Sequence, residues 1–152
     1  MGDTIQNPCC AARFIRTPAW LIKREGRYKV TLNAFLPKIN DKNNQYETSV
    51  WMHLSKNDLP RKEGERFMAE RKASKGRPKP KLQGIADVLV SDVDKVGVKI
   101  DRRYGRVPFH ANIVGWDNHE AEQKREAQRL ADRANVSVIE ENIIEPLKIK
   151  EM

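Results

Sequence analysis

Two stretches decide the fold: Tyr28-Lys29-Val30-Thr31-Leu32-Asn33-Ala34-Phe35-Leu36 and Tyr46-Glu47-Thr48-Ser49-Val50-Trp51-Met52-His53-Leu54. In the first, Tyr28, Val30, Leu32, Ala34 and Leu36 alternate with Lys29, Thr31 and Asn33. In the second, Tyr46, Thr48, Val50, Met52 and Leu54 alternate with Glu47, Ser49, Trp51 and His53. A period of two is strand patterning, with one set facing a core. Pro37 ends the first stretch, and the polar run Lys38 to Gln45 is loop chemistry. The two are expected to pair antiparallel, with Val30, Leu32, Val50 and Met52 on one core.

Working outward, residues 1–12 are small and polar and read as a flexible arm. A thin helix is expected from Leu59-Pro60 to about Ala73, since Pro suits a first helical turn. Gln83 to Val93 reads as a strand, and Val96, Val98 and Ile100 as its hairpin partner, turning at Ser91 to Lys95. Pro108 to Trp116 is a further apolar run. The clearest helix spans Asp117 to Ala134. Asp117 and Glu120 have capping-box spacing, and Ala127, Leu130, Ala131 and Ala134 share one face. Val136, Val138 and Ile139 offer a strand or an extended tail. The sum is an α+β single domain with a small antiparallel sheet and two to three helices. It covers 13–139, carries a basic linker at 71–81 and ends in a 140–152 tail.

At 152 residues with 39% apolar content, the chain can bury a core without disulfides or metal. No apolar run reaches membrane-spanning length, and from Met1-Gly2-Asp3-Thr4, which has no apolar h-region, no secretory signal is expected. The two cysteines, Cys9 and Cys10, are adjacent and cannot staple distant segments, so a cytoplasmic location is expected.

Charge points to a partner. The net charge is +8, yet residues 117–152 hold nine acidic and six basic groups, so the remainder carries +11. Arg71, Lys72, Lys75, Arg77, Lys79 and Lys81 lie within eleven residues that contain no acid. Pro78 and Pro80 favour an extended backbone there, which suits a phosphate chain. A second block, Arg13 to Lys29, sets six cations against Glu25. The third is Arg102, Arg103, Tyr104 and Arg106, where the tyrosine ring offers a stacking surface for an unpaired base. A solvated, self-repelling surface accounts for the same runs if no polyanion binds.

Several chemistries are disfavoured. The eight glycines form no phosphate-binding loop, Cys9-Cys10 lacks zinc-ligand spacing, and no Gly-x-Ser-x-Gly elbow exists. No metal or cofactor is expected. Among the histidines, His110 shares a strand face with Asn112 and follows the arginines at 102–106. It is the candidate for metal-independent RNA cleavage, with His53 as a second proton-transfer group if the strands adjoin. Packing or hydrogen bonding at a strand end explains His110 equally.

Ala34-Phe35-Leu36-Pro37, Glu47-Thr48-Ser49-Val50 and Phe109 to Trp116 resemble motifs of small bacterial proteins with no established activity, as do Glu122-Gln123-Lys124 and the alanine-rich helix. The resemblance spans roughly 13–135, the basic 75–81 linker departing from it. It implies a bacterial intracellular protein and no reaction. The sequence therefore reads as an RNA- or DNA-binding accessory protein, a subunit of a larger bacterial defence or mobile-element complex with other protein subunits and no membrane partner. The alternatives are a small nuclease using His110 and a protein-interaction module.

Overall fold

Small residues allow the central strand to be buried on both faces. Cys10, Ala11 and Ala12 are fully inaccessible and open strand β1, Cys10–Ile15. Cys10, Ala11 and Ala12, expected within the 1–12 arm, are instead strand, because three small apolar side chains pack between neighbouring strands better than in water. The computed structural model describes residues 9–54, 61–70, 81–101, 110–142 and 150–151.

Strands β2, Leu21–Arg24, and β3, Arg27–Val30, form a two-residue hairpin through Glu25 and Gly26, both at positive φ. That primed turn matches strand twist, and glycine holds its second position without strain. The expected Tyr28–Leu36 strand ends at Val30. Leu32–Ala34 is instead a turn of 3-10 helix that packs against the long C-terminal helix, burying Ala34 and Phe35. Its carbonyls, outside any ladder, find side-chain donors. Arg13 Nε donates to Ala34 O at 2.7 Å, and Thr48 Oγ1 to Phe35 O at 2.8 Å.

The partner of the second stretch is also different. Lys38–Asn40, expected as loop, is strand β4, and it pairs with β5, Gln45–His53. The expected pairing of Tyr28–Leu36 with Tyr46–Leu54 does not occur. β3 pairs with β2, and β5 with β1, β4 and a later strand. Alternation fixed which β5 residues face which side, but not which strand lies alongside.

Helix α1, Arg61–Glu70, precedes β6, Gly84–Leu89. The strand expected to reach Val93 stops at Leu89, and Val90–Val96 is helix α2. Val93 and Val96, one turn apart, are buried, and Gly97 closes the helix at φ +103°. β-branched residues imitated a strand here. Consequently β7, Lys99–Asp101, pairs with β8, His110–Val114, and not with β6. Helix α3 is Glu120–Arg133, followed by β9, Asn135–Val138, and β10, Lys150–Glu151.

The described strands form two sheets. The larger runs β7-β8-β5-β1-β6-β9, with β4 also on β5, and every pairing in it is antiparallel. The smaller is β10-β2-β3. The class is α+β, as expected. On one face of the larger sheet, Ala11, Ile15, Val50, Met52, Ala86 and Val88 share a core with Val93, Val96, Ala127, Leu130 and Ala131 of α2 and α3. On the other, Ala12, Phe14, Trp51 and Ile85 meet Met68 and Phe67 of α1. No helix among the described residues is long and apolar enough to cross a membrane.

The expected burial of Ala127, Leu130, Ala131 and Ala134 is present, but the expected cap is not. His119 is the residue flanking the helix, without a side-chain capping bond. Asp117 Oδ1 instead accepts from His119 N at 2.8 Å, a local turn that holds its carboxyl below the ordinary range. Glu126, not Glu120, reaches back to accept from Asp117 N at 3.2 Å.

Candidate functional site

The β2–β3 hairpin carries a cationic face because strand alternation segregates its residues. Leu21 and Val30 pair and point into the core. Ile22, Arg24, Arg27 and Lys29 take the opposite face, with Arg24, Arg27 and Lys29 exposed. Glu25 at the turn is the hairpin's sole acid.

Not every cation of the Arg13–Lys29 block belongs to this surface. Arg13 turns inward, donating from Nε to Ala34 O and from Nη1 to Ser49 O at 3.2 Å. Burial, then Arg16, lowers its pKa to about 10, which still leaves it charged at neutral pH. Arg13 and Arg16 flank the half-buried Trp20 ring at 5.4 and 5.3 Å, and Lys23 Nζ lies 5.5 Å from the Tyr28 ring. These rings already hold cations at their faces.

Of the sequence-predicted binding residues, Lys81 is described, and it is exposed just before β6. Arg71, Lys72, Lys75, Arg77 and Lys79 lie outside the described residues, as do Arg102, Arg103, Tyr104 and Arg106.

His110 is half-buried. It faces Trp51 across the β5–β8 ladder, with ring centroids 4.8 Å apart and planes at 60°. Its pKa is lowered chiefly by burial and slightly by Arg13, with Glu47 opposing. Asn112, on the same face, accepts from Ser49 Oγ at 3.4 Å. The ring thus packs as an aromatic neighbour of Trp51.

His53 is engaged elsewhere, in a cluster that spacing rules did not reveal. It is 7% exposed, and its Nε2 lies 2.6 Å from Oδ1 of Asp87, itself 2% exposed. The two residues come from β5 and β6, on either side of β1. They meet because the intervening β1 positions are small: Cys10 opposes His53, and Ala12 opposes Asp87. Cys10 completes the group, its sulfur and the nearest His53 and Asp87 donor atoms lying within 4.8 Å of one another. Cys9 Sγ is 3.5 Å from Cys10 Sγ and donates to Leu54 O at 2.7 Å. One sequence signal did exist. Asp87 is a lone carboxylate inside the apolar run Ile85 to Val90, and a buried carboxylate needs a partner.

Comparisons with protein families, with curated proteins and with solved structures give no match.

Proposed function

We propose that the protein binds single-stranded RNA or DNA as a cytoplasmic accessory subunit, gripping the phosphate backbone through the cationic face of the β2–β3 hairpin and the basic run 71–81. The observation that carries this reading is the shared exposed face of Arg24, Arg27 and Lys29 on a hairpin with one acid. Three cations on a short rigid ribbon present charge at strand spacing, which suits successive phosphates. The run 71–81 adds six cations in sequence, the last of them the exposed Lys81.

Backbone contacts position a nucleic acid without specifying its bases. With Trp20 and Tyr28 already covered by cations, base preference is weak. The test is titration of labelled single-stranded RNA and DNA at two salt concentrations. If about four groups of the basic run make contact, changing Lys75, Arg77, Lys79 and Lys81 together to Ala flattens the log–log salt dependence by about 3. Failure to bind either polymer at low salt overturns the reading.

A further inference from the structure

The buried Cys10–His53–Asp87 cluster joins three kinds of metal donor from three adjacent strands. We propose that it is a binding site for a divalent transition-metal ion of the zinc class, with Cys9 supplying the fourth ligand. The donor set combines a thiolate, an imidazole and a carboxylate. That mixture suits zinc and its neighbours, whereas magnesium and calcium favour oxygen alone.

Geometry supports a tetrahedral ion. Zinc bonds of about 2.0–2.3 Å place ligand atoms roughly 3.3–3.8 Å apart. The Cys9 and Cys10 sulfurs are already 3.5 Å apart. The Cys10, His53 and Asp87 donor atoms lie within 4.8 Å of one another, so these three close on the ion by side-chain rotation of about an ångström, while Cys9, whose sulfur is outside that group, turns away from Leu54 O to reach it. His53 Nε2 and Asp87 Oδ1, at 2.6 Å, must part slightly, the ion replacing the proton between them. The ligands of the buried set stand on hydrogen-bonded strands, so their main chains are fixed before the ion arrives.

Charge supports it as well. A thiolate at Cys10 and the carboxylate of Asp87 balance a dication, so the fully buried part of the site is neutral. The additional thiolate, Cys9, is exposed, at the edge through which an ion enters. On binding, the Cys9 and Cys10 thiols lose their protons to buffer, and the proton between His53 Nε2 and Asp87 passes to His53 Nδ1 and leaves the imidazole neutral. Two metal–sulfur, one metal–nitrogen and one metal–oxygen bond form, and no electron is transferred.

Cobalt(II) is the probe, added to the reduced full-length chain. The expected result is a thiolate-to-cobalt charge-transfer band with tetrahedral d–d bands, saturating at one equivalent and abolished by zinc(II). Because Cys9 and Cys10 are the chain's two cysteines, a two-thiolate spectrum requires both. Cys9→Ser leaves about half the charge-transfer intensity, and Asp87→Asn weakens cobalt binding tenfold or more. Cys10→Ala abolishes the band while the far-ultraviolet circular dichroism is retained. Absence of the band in the unmodified chain at one equivalent, or its persistence in folded Cys10→Ala, overturns the proposal. The first of these outcomes identifies the cluster as a buried hydrogen-bonded pair beside a thiol.

Discussion

Replacing Gly84 with Ala tests the outer edge of the sheet. An added Cβ would sit 2.5 Å from Ser137 O and 3.1 Å from Val138 Cα. Both atoms are main chain of β9, so no side-chain rotation relieves the overlap. Carbon–oxygen contacts settle at about 3.3 Å or more, and the strands must part by most of an ångström. Overpacking of this kind costs about 1–3 kcal/mol. A strained ladder bond beside Gly84 adds about 1 kcal/mol. Against this, Ala restricts the unfolded chain and returns about 0.4–1 kcal/mol. The net is a loss of about 2 kcal/mol, and a chain of this length converts it to a Tm lowered by about 4–8 °C. Gly64→Ala is the comparison. Its Cβ meets side chains, Leu82 Cδ2 at 2.9 Å and the Phe14 ring at 3.0 Å. These yield more easily, and the helix gains about 1 kcal/mol from Ala, so the Tm falls less. Calorimetry with urea unfolding checks both. An unchanged or raised Tm in Gly84→Ala would refute the β6–β9 register.

Three further outcomes follow from the packing. Leu130→Ala empties a fully buried site under α3 and lowers stability by about 2–5 kcal/mol in urea, while exposed Gln128→Ala stays within about 0.5 kcal/mol. Arg13→Ala strands the carbonyls of Ala34 and Ser49 and costs about 3 kcal/mol. Arg13→Lys recovers little of it, because one ammonium lacks the guanidinium fork. His110 has a folded pKa below its unfolded value, so its contribution is full above the unfolded pKa and is lost as pH falls through it toward the folded one. Unfolding at about pH 7.5 and about pH 5.5 therefore shows wild type losing more stability than His110→Gln. Equal pH dependence in the two proteins counts against the burial of the imidazole.

Periodicity made the class legible, and with it the faces of β5 and α3, because burial writes itself into residue spacing. Val50 and Met52 face the core as alternation predicts, and Leu130 lies where the helical period places it. Pairing was not legible. Val30 and Leu32 continue an alternation on paper, yet the chain turns at Thr31, since Phe35 buries better from a 3-10 turn held by Arg13 and Thr48. Val90 to Val96 misled for a related reason: valines serve a short helix when neighbouring layers bury Val93 and Val96. The cationic face was visible as charge counts, but counting cannot tell the inward Arg13 from the outward Arg27. The Cys10, His53 and Asp87 cluster was hidden because its members lie 34 or more positions apart and meet only through strand order.

The central claim, that the β2–β3 hairpin is a nucleic-acid surface, is tested most directly by the salt dependence of binding in one variant. Arg24, Arg27 and Lys29 are changed together to Ala; all three are exposed, so thermal unfolding stays close to that of wild type. Anisotropy of a labelled single-stranded oligonucleotide is followed across a salt series for both proteins. Each lost phosphate contact removes about 0.7 from the log–log slope, so the variant is expected to be shallower by about 2 and weaker at every salt concentration. Identical slopes and affinities for the two proteins would contradict the account.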